Sequence, residues 1–392
     1  MKALLGMSEY VFSTNAPKRP FVKVLTSLRF FAAFCIFLLH ARNHGFEFFE
    51  SIYLLDLSKS VSFFFVLSGF VLTLSYHRRP LSLPRFYLQR FVRIWPIHVL
   101  SIFFVILLLP EGLYLPSSNF DDISFFSILA THLLLIQSLF PIPAFFFGLN
   151  AVSWSISVEA FFYLLFPFLA KLRCSSLYLI YISLLAFTIL TAFSLRVFEI
   201  PSFGSNTLYE PVYQGFLYIN PISRLPEFIV GILFSRLYLS SPFASLLLNI
   251  ETSIPQPLYC FPFLLLMFFS LTIGFMPPFN FGDLRLLVVL NQFSSSLSFG
   301  IFILLASSFK SSIIKFLENS TFLFLGKISF SFYLFHQPIM IKAAQGGGLS
   351  ILGINILPSN IFIILAWSLA LSSIFCFGFE SLIVKQARKL LR

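Results

Sequence analysis

The sequence has few charged residues and few cysteines. Charged side chains make up 10% of its 392 residues, whereas hydrophobic side chains make up 58%. The four cysteines lie in or beside apolar runs without a Cys-x-x-Cys spacing, so we expect buried apolar residues and not a disulfide framework or a metal site. A glycine-rich phosphate loop and a His-Glu-x-x-His motif are also missing, which argues against a nucleotide-hydrolysing or metal-dependent enzyme.

Long apolar runs predict an all-α, polytopic helical membrane protein. The runs are 24–41, 59–76, 91–109, 123–140, 154–170, 177–194, 222–238, 258–276, 285–308, 321–341 and 361–383. A polar, basic N-terminal segment (1–23) precedes them, and we expect the first run to act as a start anchor and not as a cleaved signal. A basic tail (384–392) follows the single membrane domain (24–383).

Charge around the runs predicts their orientation. Both ends of the chain are basic, so both are expected in the cytoplasm, which requires an even number of crossings. Run 123–140 lacks flanking Lys and Arg and is followed by two prolines, so it is the best candidate for a segment that enters from outside and returns. Only six of the 26 Lys and Arg then lie outside, namely Arg42, Lys59, Arg196, Arg224, Arg285 and Lys342. We therefore predict ten crossings plus one re-entrant segment, and the basic excess serves topology and not nucleic-acid binding.

Arg29 and His40 lie within one apolar helix, eleven residues apart. At about 100° per residue both side chains share one face, roughly 16 Å apart along the axis. A cation at membrane depth is costly and marks a partner, a cavity or a substrate path. The helix thus predicts a cationic anchor on the inner side and a titratable imidazole on the outer side, an arrangement suited to a long phosphorylated substrate.

Arg90 and Arg93 lie three residues apart on one helix face at the inner side. The plain interpretation, given even weight, is a positive-inside cluster of snorkelling side chains. The functional interpretation is a phosphate clamp, because arginines bind phosphate through charge-assisted, often bidentate hydrogen bonds. Arg29 at a similar depth strengthens the second interpretation.

Two acidic residues are predicted near the outer ends of their helices. Glu159 either caps its helix beside Ser153 and Ser155 or orients His40. Glu227 is predicted to pair with Arg224 at i, i+3, and Arg224 remains a candidate contact for an acceptor.

The remaining histidines divide between support and structure. His336 is a second outer histidine, and with Tyr333 it is a candidate for acceptor binding or support. His98 and His132 are expected to be structural, because lone histidines are more often satisfied structural groups than catalysts. His44 and His77 are expected in solvated loops. The Ser68–Gly69 pair is expected to permit close helix packing.

Taken in order, these motifs resemble the transmembrane acyltransferase 3 family, membrane enzymes that O-acylate, most often O-acetylate, surface polysaccharides and lipid-linked sugars. The resemblance rests on Arg29 with His40, segment 64–70, Arg90 with Arg93, segment 154–159 and segment 333–338, and it covers about residues 24 to 383. It implies that His40 is the essential histidine, with Arg29 as its partner. It also implies that Arg90 and Arg93 contact the acyl donor, usually acetyl-CoA. Family members with a fused hydrolase-like domain carry a long C-terminal extension, and we expect none here.

The expected function is acyl transfer from cytoplasmic acyl-CoA, a co-substrate and not a bound cofactor, to a hydroxyl of a surface polysaccharide or lipid-linked sugar. His40 would act as general base with Glu159 holding its tautomer, and an acyl group carried on His40 itself stays an open variant. No metal is expected, and the chain is placed in the plasma (inner) membrane. The alternative is a secondary transporter or flippase of a lipid-linked sugar, which would move its substrate without acyl-CoA.

Overall fold

A computed structural model describes residues 22–46, 55–77, 81–109, 123–204, 206–243, 284–309, 311–345, 349–351, 354–356 and 360–390. The α-helices are α1 (Val24–Asn43), α2 (Ser60–Tyr76), α3 (Leu83–Leu108), α4 (Phe125–Leu133), α5 (Pro143–Phe146), α6 (Trp154–Leu169), α7 (Cys174–Val197), α8 (Pro221–Tyr238), α9 (Leu284–Ser308), α10 (Ser312–Leu317), α11 (Ser320–Ala344), α12 (Ile361–Phe375) and α13 (Ser381–Leu390). Short 3-10 turns occupy Leu57–Lys59, Gln137–Leu139 and Ala151–Ser153, and π-helical turns occupy Gly215–Ile219 and Cys376–Glu380. Strands β1 (Leu349–Ile351) and β2 (Ile354–Ile356) pair antiparallel.

The described residues contain eight helices that are long and apolar enough to cross a membrane. They correspond to eight of the eleven predicted runs, so the prediction of a polytopic helical membrane protein is confirmed. Run 258–276, with Cys260, lies outside the described residues. Run 321–341 forms α11, a helix of 25 residues. Ten crossings and two cytoplasmic ends therefore stay predictions.

Run 123–140 forms no spanning helix. α4 has nine residues and is about 14 Å long, less than half of what a bilayer core requires. The chain turns after it through Leu135, whose φ of 57° lies in the left-handed region that non-glycine residues seldom occupy. A 3-10 turn and the four-residue α5 follow. The structure therefore agrees with the prediction that run 123–140 does not cross the membrane.

The third predicted run differs most in its start, because α3 begins at Leu83 and not near residue 91. Proline at the second helical position favours helix initiation there. Arg90 and Arg93 consequently lie within the body of a 26-residue helix and not at its mouth.

Glycines set the closest helix contacts. A Cβ on Gly69 of α2 would meet the backbone oxygen of Phe228 in α8, and one on Gly231 of α8 would meet the backbone oxygen of Val66. This reciprocal pair confirms that the Gly69 region permits close packing. A Cβ on Gly326 of α11 would likewise meet the backbone oxygen of Thr26 in α1. α11 is therefore held directly against the helix that carries Arg29 and His40.

Aromatic rings fill the space between these close helices. The rings of Phe30 and Phe37 on α1 lie 5.8 and 5.7 Å from Phe332 on α11. The three described cysteines, Cys35, Cys174 and Cys376, are free and at least half-buried, as expected for small apolar residues.

Candidate active site

Arg29, Arg90 and Arg93 line one pocket of about 90 Å³, here called the arginine pocket. Arg29 comes from α1 and the other two come from α3, so helix packing brings together cations that are far apart in sequence. The structure thus joins Arg29 to the arginine pair, as the sequence predicts.

The arginine pocket carries more positive than negative charge, because three arginines share it with one carboxylate, that of Glu159. In the described part of the chain, none of its three arginines has a carboxylate oxygen within 4.0 Å. Arg90 instead lies over the rings of Phe86 and Tyr163, at 5.8 and 5.7 Å from their centroids, and its buried Nε has no hydrogen-bond partner. Guanidinium groups bind phosphate through charge-assisted, often bidentate hydrogen bonds, so this excess of arginine suits a phosphorylated ligand.

Glu159 lies in the arginine pocket and not beside His40, which corrects the expectation that it orients the imidazole. Its carboxylate accepts hydrogen bonds from the Ser68 hydroxyl, at 3.2 Å, and from the Tyr163 hydroxyl. His40 lines a different cavity. The reason is helical phase: Ser155, Glu159 and Tyr163 follow at four-residue steps on one face of α6, and all three line the arginine pocket.

Two residues of this site were missed as functional candidates. Ser68 was assigned to helix packing, yet its hydroxyl bonds Glu159 while Gly69 provides the close contact. The sequence patterns assigned no role to Tyr163. The four-residue spacing of Ser155, Glu159 and Tyr163 was the available signal, because it predicts one polar stripe on an otherwise apolar helix.

His40 pairs with His336 near the other end of α1. A hydrogen bond of 2.9 Å joins His40 Nδ1 to His336 Nε2, and the two ring planes lie within 14° of each other with centroids 5.1 Å apart. His336 is fully buried, whereas half-buried His40 lines a cavity of about 410 Å³. We call it the outer cavity, because the sequence predicts that this end of α1 faces outward. The structure therefore gives His336 a direct contact with the candidate catalytic residue.

Tyr333 lies between the two sites. Its hydroxyl is 2.8 Å from Ser155 Oγ and donates to the Val152 carbonyl at 3.1 Å. Tyr333 lines both the arginine pocket and the outer cavity. It is thus part of the wall that the two spaces share.

Arg224 is fully buried and pairs with Glu227 at 3.1 Å, which confirms the predicted structural pair. The rings of Tyr218 and Phe65 lie 4.6 and 5.2 Å from its guanidinium carbon. Arg224 lines neither the arginine pocket nor the outer cavity. Tyr218, which lines the outer cavity, lies between that cavity and Arg224, and a role of Arg224 in contacting an acceptor stays a prediction.

The other histidines divide as follows. His98 Nε2 bonds the His132 carbonyl at 3.0 Å, and His132 Nε2 bonds the Phe145 carbonyl at 2.8 Å, so the structural assignment of both is confirmed. His44 lines the outer cavity beside His40, which corrects its assignment to a solvated loop, and its partial burial lowers its pKa.

A cavity of about 610 Å³ adjoins the arginine pocket. We call it the inner cavity, because the sequence predicts that this end of α1 faces the cytoplasm. The pocket and the inner cavity share five wall residues, namely Arg29, Arg90, Arg93, Ser329 and Phe330. The inner cavity adds Lys23, Lys327 and Glu380 to its wall. The arginine pocket in turn shares Val61 and Tyr333 with the outer cavity. Three cavities with common walls therefore follow the face of α1 from Arg29 to His40.

A family model matches most of the chain. The family model described as an acyltransferase domain, acyltransferase 3, matches residues 23–377. The chain belongs to the acyltransferase 3 family. The family match covers every candidate site residue named above, from Arg29 to His336, and confirms the resemblance found in the sequence.

A curated relative is similar over a shorter stretch. Acyltransferase MdmB of Streptomyces mycarofaciens is 37% identical over 152 residues, which covers 36% of this acyltransferase 3 chain and 38% of MdmB. The chain thus matches well under half of that relative's length. No solved structure matches the chain.

Proposed function

We propose that this acyltransferase 3 protein is a membrane O-acyltransferase. It takes an acyl group, in the first instance acetyl, from acyl-CoA on the cytoplasmic side and transfers it to a hydroxyl of a surface polysaccharide or lipid-linked sugar on the outer side of the plasma membrane. One observation carries the proposal: the three cavities that share walls run from a cationic inner cavity to the His40–His336 pair.

The cationic end suits the nucleotide part of the donor. CoA carries a diphosphate and a ribose phosphate, and Arg29, Arg90 and Arg93 offer three guanidinium groups that outnumber the single carboxylate of their pocket. Lys23 and Lys327 add positive charge around the larger inner cavity. Ser68 and Tyr163 hold the Glu159 carboxylate among these cations. We therefore give Glu159 a positioning role at the donor end and not at His40.

The length of the path suits the pantetheine arm. Eleven residues of α helix separate Arg29 from His40 by roughly 16 Å, which is comparable to an extended pantetheine. With the phosphates at the arginines, the thioester reaches the neighbourhood of His40. The arginine pocket between them is lined mostly by apolar side chains, such as Phe64, Leu67 and Ile156, which exclude water from the thioester.

His40 acts as general base at the far end. Its imidazole takes the proton of the acceptor hydroxyl while the hydroxyl oxygen bonds the thioester carbonyl carbon. The carbon–sulfur bond breaks, and the leaving sulfur recovers the proton. In the variant with an acyl-His40 intermediate, the same nitrogen first attacks the thioester carbon and the CoA thiolate leaves. The acceptor hydroxyl then displaces the imidazole from the acyl carbon, and its proton ends on the CoA sulfur.

The outer cavity suits a carbohydrate acceptor. Trp154, Tyr218 and Tyr333 supply aromatic faces, and Asn43 and Gln337 supply polar groups. Sugar rings present apolar C–H faces to aromatic rings and hydroxyls to amides, so this lining offers both kinds of contact.

The test uses purified protein in vesicles with radiolabelled acetyl-CoA. Wild type is compared with His40→Gln and with Arg90→Ala/Arg93→Ala. We expect His40→Gln to bind acetyl-CoA but not to transfer the label, and the arginine variant to bind it at least about tenfold more weakly. Arg85→Ala is the matched control, because it removes a cation from an exposed position of α3 that does not line the pocket.

Wild type that neither binds nor consumes acetyl-CoA would contradict the proposed donor. Wild type that moves a lipid-linked sugar across the vesicle membrane without acyl-CoA would contradict the transferase assignment in favour of a flippase. If Arg85→Ala weakened acetyl-CoA binding as much as the double variant, the loss of binding would reflect general surface charge and not a specific site at Arg90 and Arg93.

A further inference from the structure

The fixed contacts of His336 determine which nitrogen of His40 is free. His336 Nδ1 lies 3.0 Å from the carbonyl oxygen of Phe332. A carbonyl oxygen only accepts, so His336 Nδ1 carries the hydrogen and donates it. In a neutral imidazole the second nitrogen then carries the lone pair, so His336 Nε2 is an acceptor.

The unprotonated Nε2 of His336 in turn fixes the tautomer of His40. Its partner across the 2.9 Å hydrogen bond is His40 Nδ1, which must therefore be the donor. The lone pair of His40 is left on Nε2, and His40 lines the outer cavity, in which we place the acceptor. Two successive hydrogen bonds therefore set the tautomer of His40: the Phe332 carbonyl fixes His336, and His336 fixes His40.

Packing around His336 prevents its imidazole ring from flipping. The ring of Phe332 stacks on His336 with centroids 5.6 Å apart, and Phe37 lies 6.0 Å away on another side. Gly326 brings α11 against the backbone of α1, so His336 faces α1 at fixed distance. His336 itself is 0% exposed.

We propose that His336 is the positioning residue of the transfer reaction. It fixes His40 in the tautomer whose unprotonated Nε2 can take the proton from the hydroxyl of the sugar. The inference rests on the proposed function. It assigns to a neutral imidazole the task that a carboxylate has in acyl-transfer triads.

A neutral partner has a physical advantage at this depth. A carboxylate at the site of His336 would be an uncompensated charge whenever His40 is neutral, and buried charge in a membrane protein is expensive. The two imidazoles have no net charge at rest. When His40 takes the hydroxyl proton at Nε2, the resulting cation donates through Nδ1 to the lone pair of His336, and the proton then leaves with the sulfur of CoA.

The first test is kinetic. We expect His336→Leu to lower kcat by about 10²-fold, part of what general base catalysis supplies, with the KM for acetyl-CoA within about threefold. His336→Gln keeps a side-chain carbonyl that can accept from His40 Nδ1, so it should recover to within about tenfold of wild type. Phe335→Leu is the matched control: it removes a fully buried ring from the same helix turn, but this ring packs on Phe375 and not on His40.

The second test does not require activity. NMR of protein labelled with ¹⁵N-histidine distinguishes protonated from unprotonated ring nitrogens, and the His40→Gln spectrum identifies the His40 signals. We expect protonated Nδ1 and unprotonated Nε2 on His40 in wild type, and a mixture of tautomers in His336→Leu. An inactive wild type with the expected spectrum would refute the proposed function but keep the histidine assignment. Unchanged His40 signals in His336→Leu, or a kcat equal to that of Phe335→Leu, would overturn the assignment.

Discussion

Two pairs of nearly parallel histidine rings in this protein show how differently the same side chain can be used. His98 and His132 have centroids 6.2 Å apart and planes 12° apart, and His40 and His336 are 5.1 Å and 14° apart. In the first pair each Nε2 bonds a backbone carbonyl. In the second pair the rings bond each other, and only one ring nitrogen bonds the backbone.

The surroundings differ as much as the hydrogen bonds. His98 and His132 are both fully buried, and neither lines any of the three cavities, whereas half-buried His40 lines the outer cavity. A histidine whose Nε2 is tied to a carbonyl holds helices together. A histidine with a free, oriented nitrogen facing a cavity can exchange protons. The comparison assigns chemistry to His40 by its contacts and not by its residue type.

The largest expected effect comes from breaking the reactive pair. His40→Gln should lower the rate of acetyl transfer by about 10³-fold or more, because the general base is lost, while acetyl-CoA binding at the arginines persists. Release of CoA by vesicles containing the protein measures the rate. His132→Gln is the counterpart in the other pair, and a fall in its kcat equal to that of His40→Gln would erase the distinction between the pairs.

An intermediate effect is expected from Asn150, whose side chain bonds one helix from each pair, α3 with His98 and α11 with His336. Its amide nitrogen donates to the Leu334 carbonyl at 2.9 Å and to Ser101 Oγ at 3.0 Å. Pro338 lacks the N–H that would bond this carbonyl within α11, so Asn150 satisfies it close to His336. We expect Asn150→Ala to lower kcat about tenfold and to destabilise the fold by roughly 1–3 kcal/mol. Parallel measurements of kcat and thermal unfolding check this, and a stability loss without any rate change would limit Asn150 to the structural pair.

The smallest effect on rate is expected from His98→Leu. The substitution removes the 3.0 Å hydrogen bond to the His132 carbonyl, so we expect a loss of about 1–3 kcal/mol in stability. The protein that remains folded should keep kcat and KM within about threefold of wild type. Thermal unfolding in detergent and kinetics on the folded fraction measure the two quantities. A selective fall in kcat would show that the first pair also takes part in the reaction.

The sequence predicted those parts of the site that lie on one helix. Arg29 and His40 share a face of α1 because of the helical repeat, and Arg90 and Arg93 share a face of α3 for the same reason. The pairing of Arg224 with Glu227 is likewise a local i, i+3 contact. Hydropathy found the spanning helices for a similar reason, since each run is a local property of the chain.

Contacts between helices were harder to predict. Glu159 was expected beside His40 because both were placed near outer ends, but the face of α6 that carries Glu159 meets the arginine pocket. The pairing of His336 with His40 depends on the contact of Gly326 with Thr26, which joins residues about 300 apart in sequence. Neither contact follows from the periodicity of a single helix.

The central claim is that the donor binds at the arginine end and the reaction occurs at the His40 end. The most direct test is to measure from which side of the membrane each substrate must be added. Sealed vesicles with uniformly oriented protein, scored by a tag appended after Arg392, receive labelled acetyl-CoA on one side and a sugar acceptor on the other. We predict transfer only when acetyl-CoA is on the side of Lys327 and the acceptor is on the side of His44. Equal transfer with both substrates added on the side of His44 alone would contradict the account.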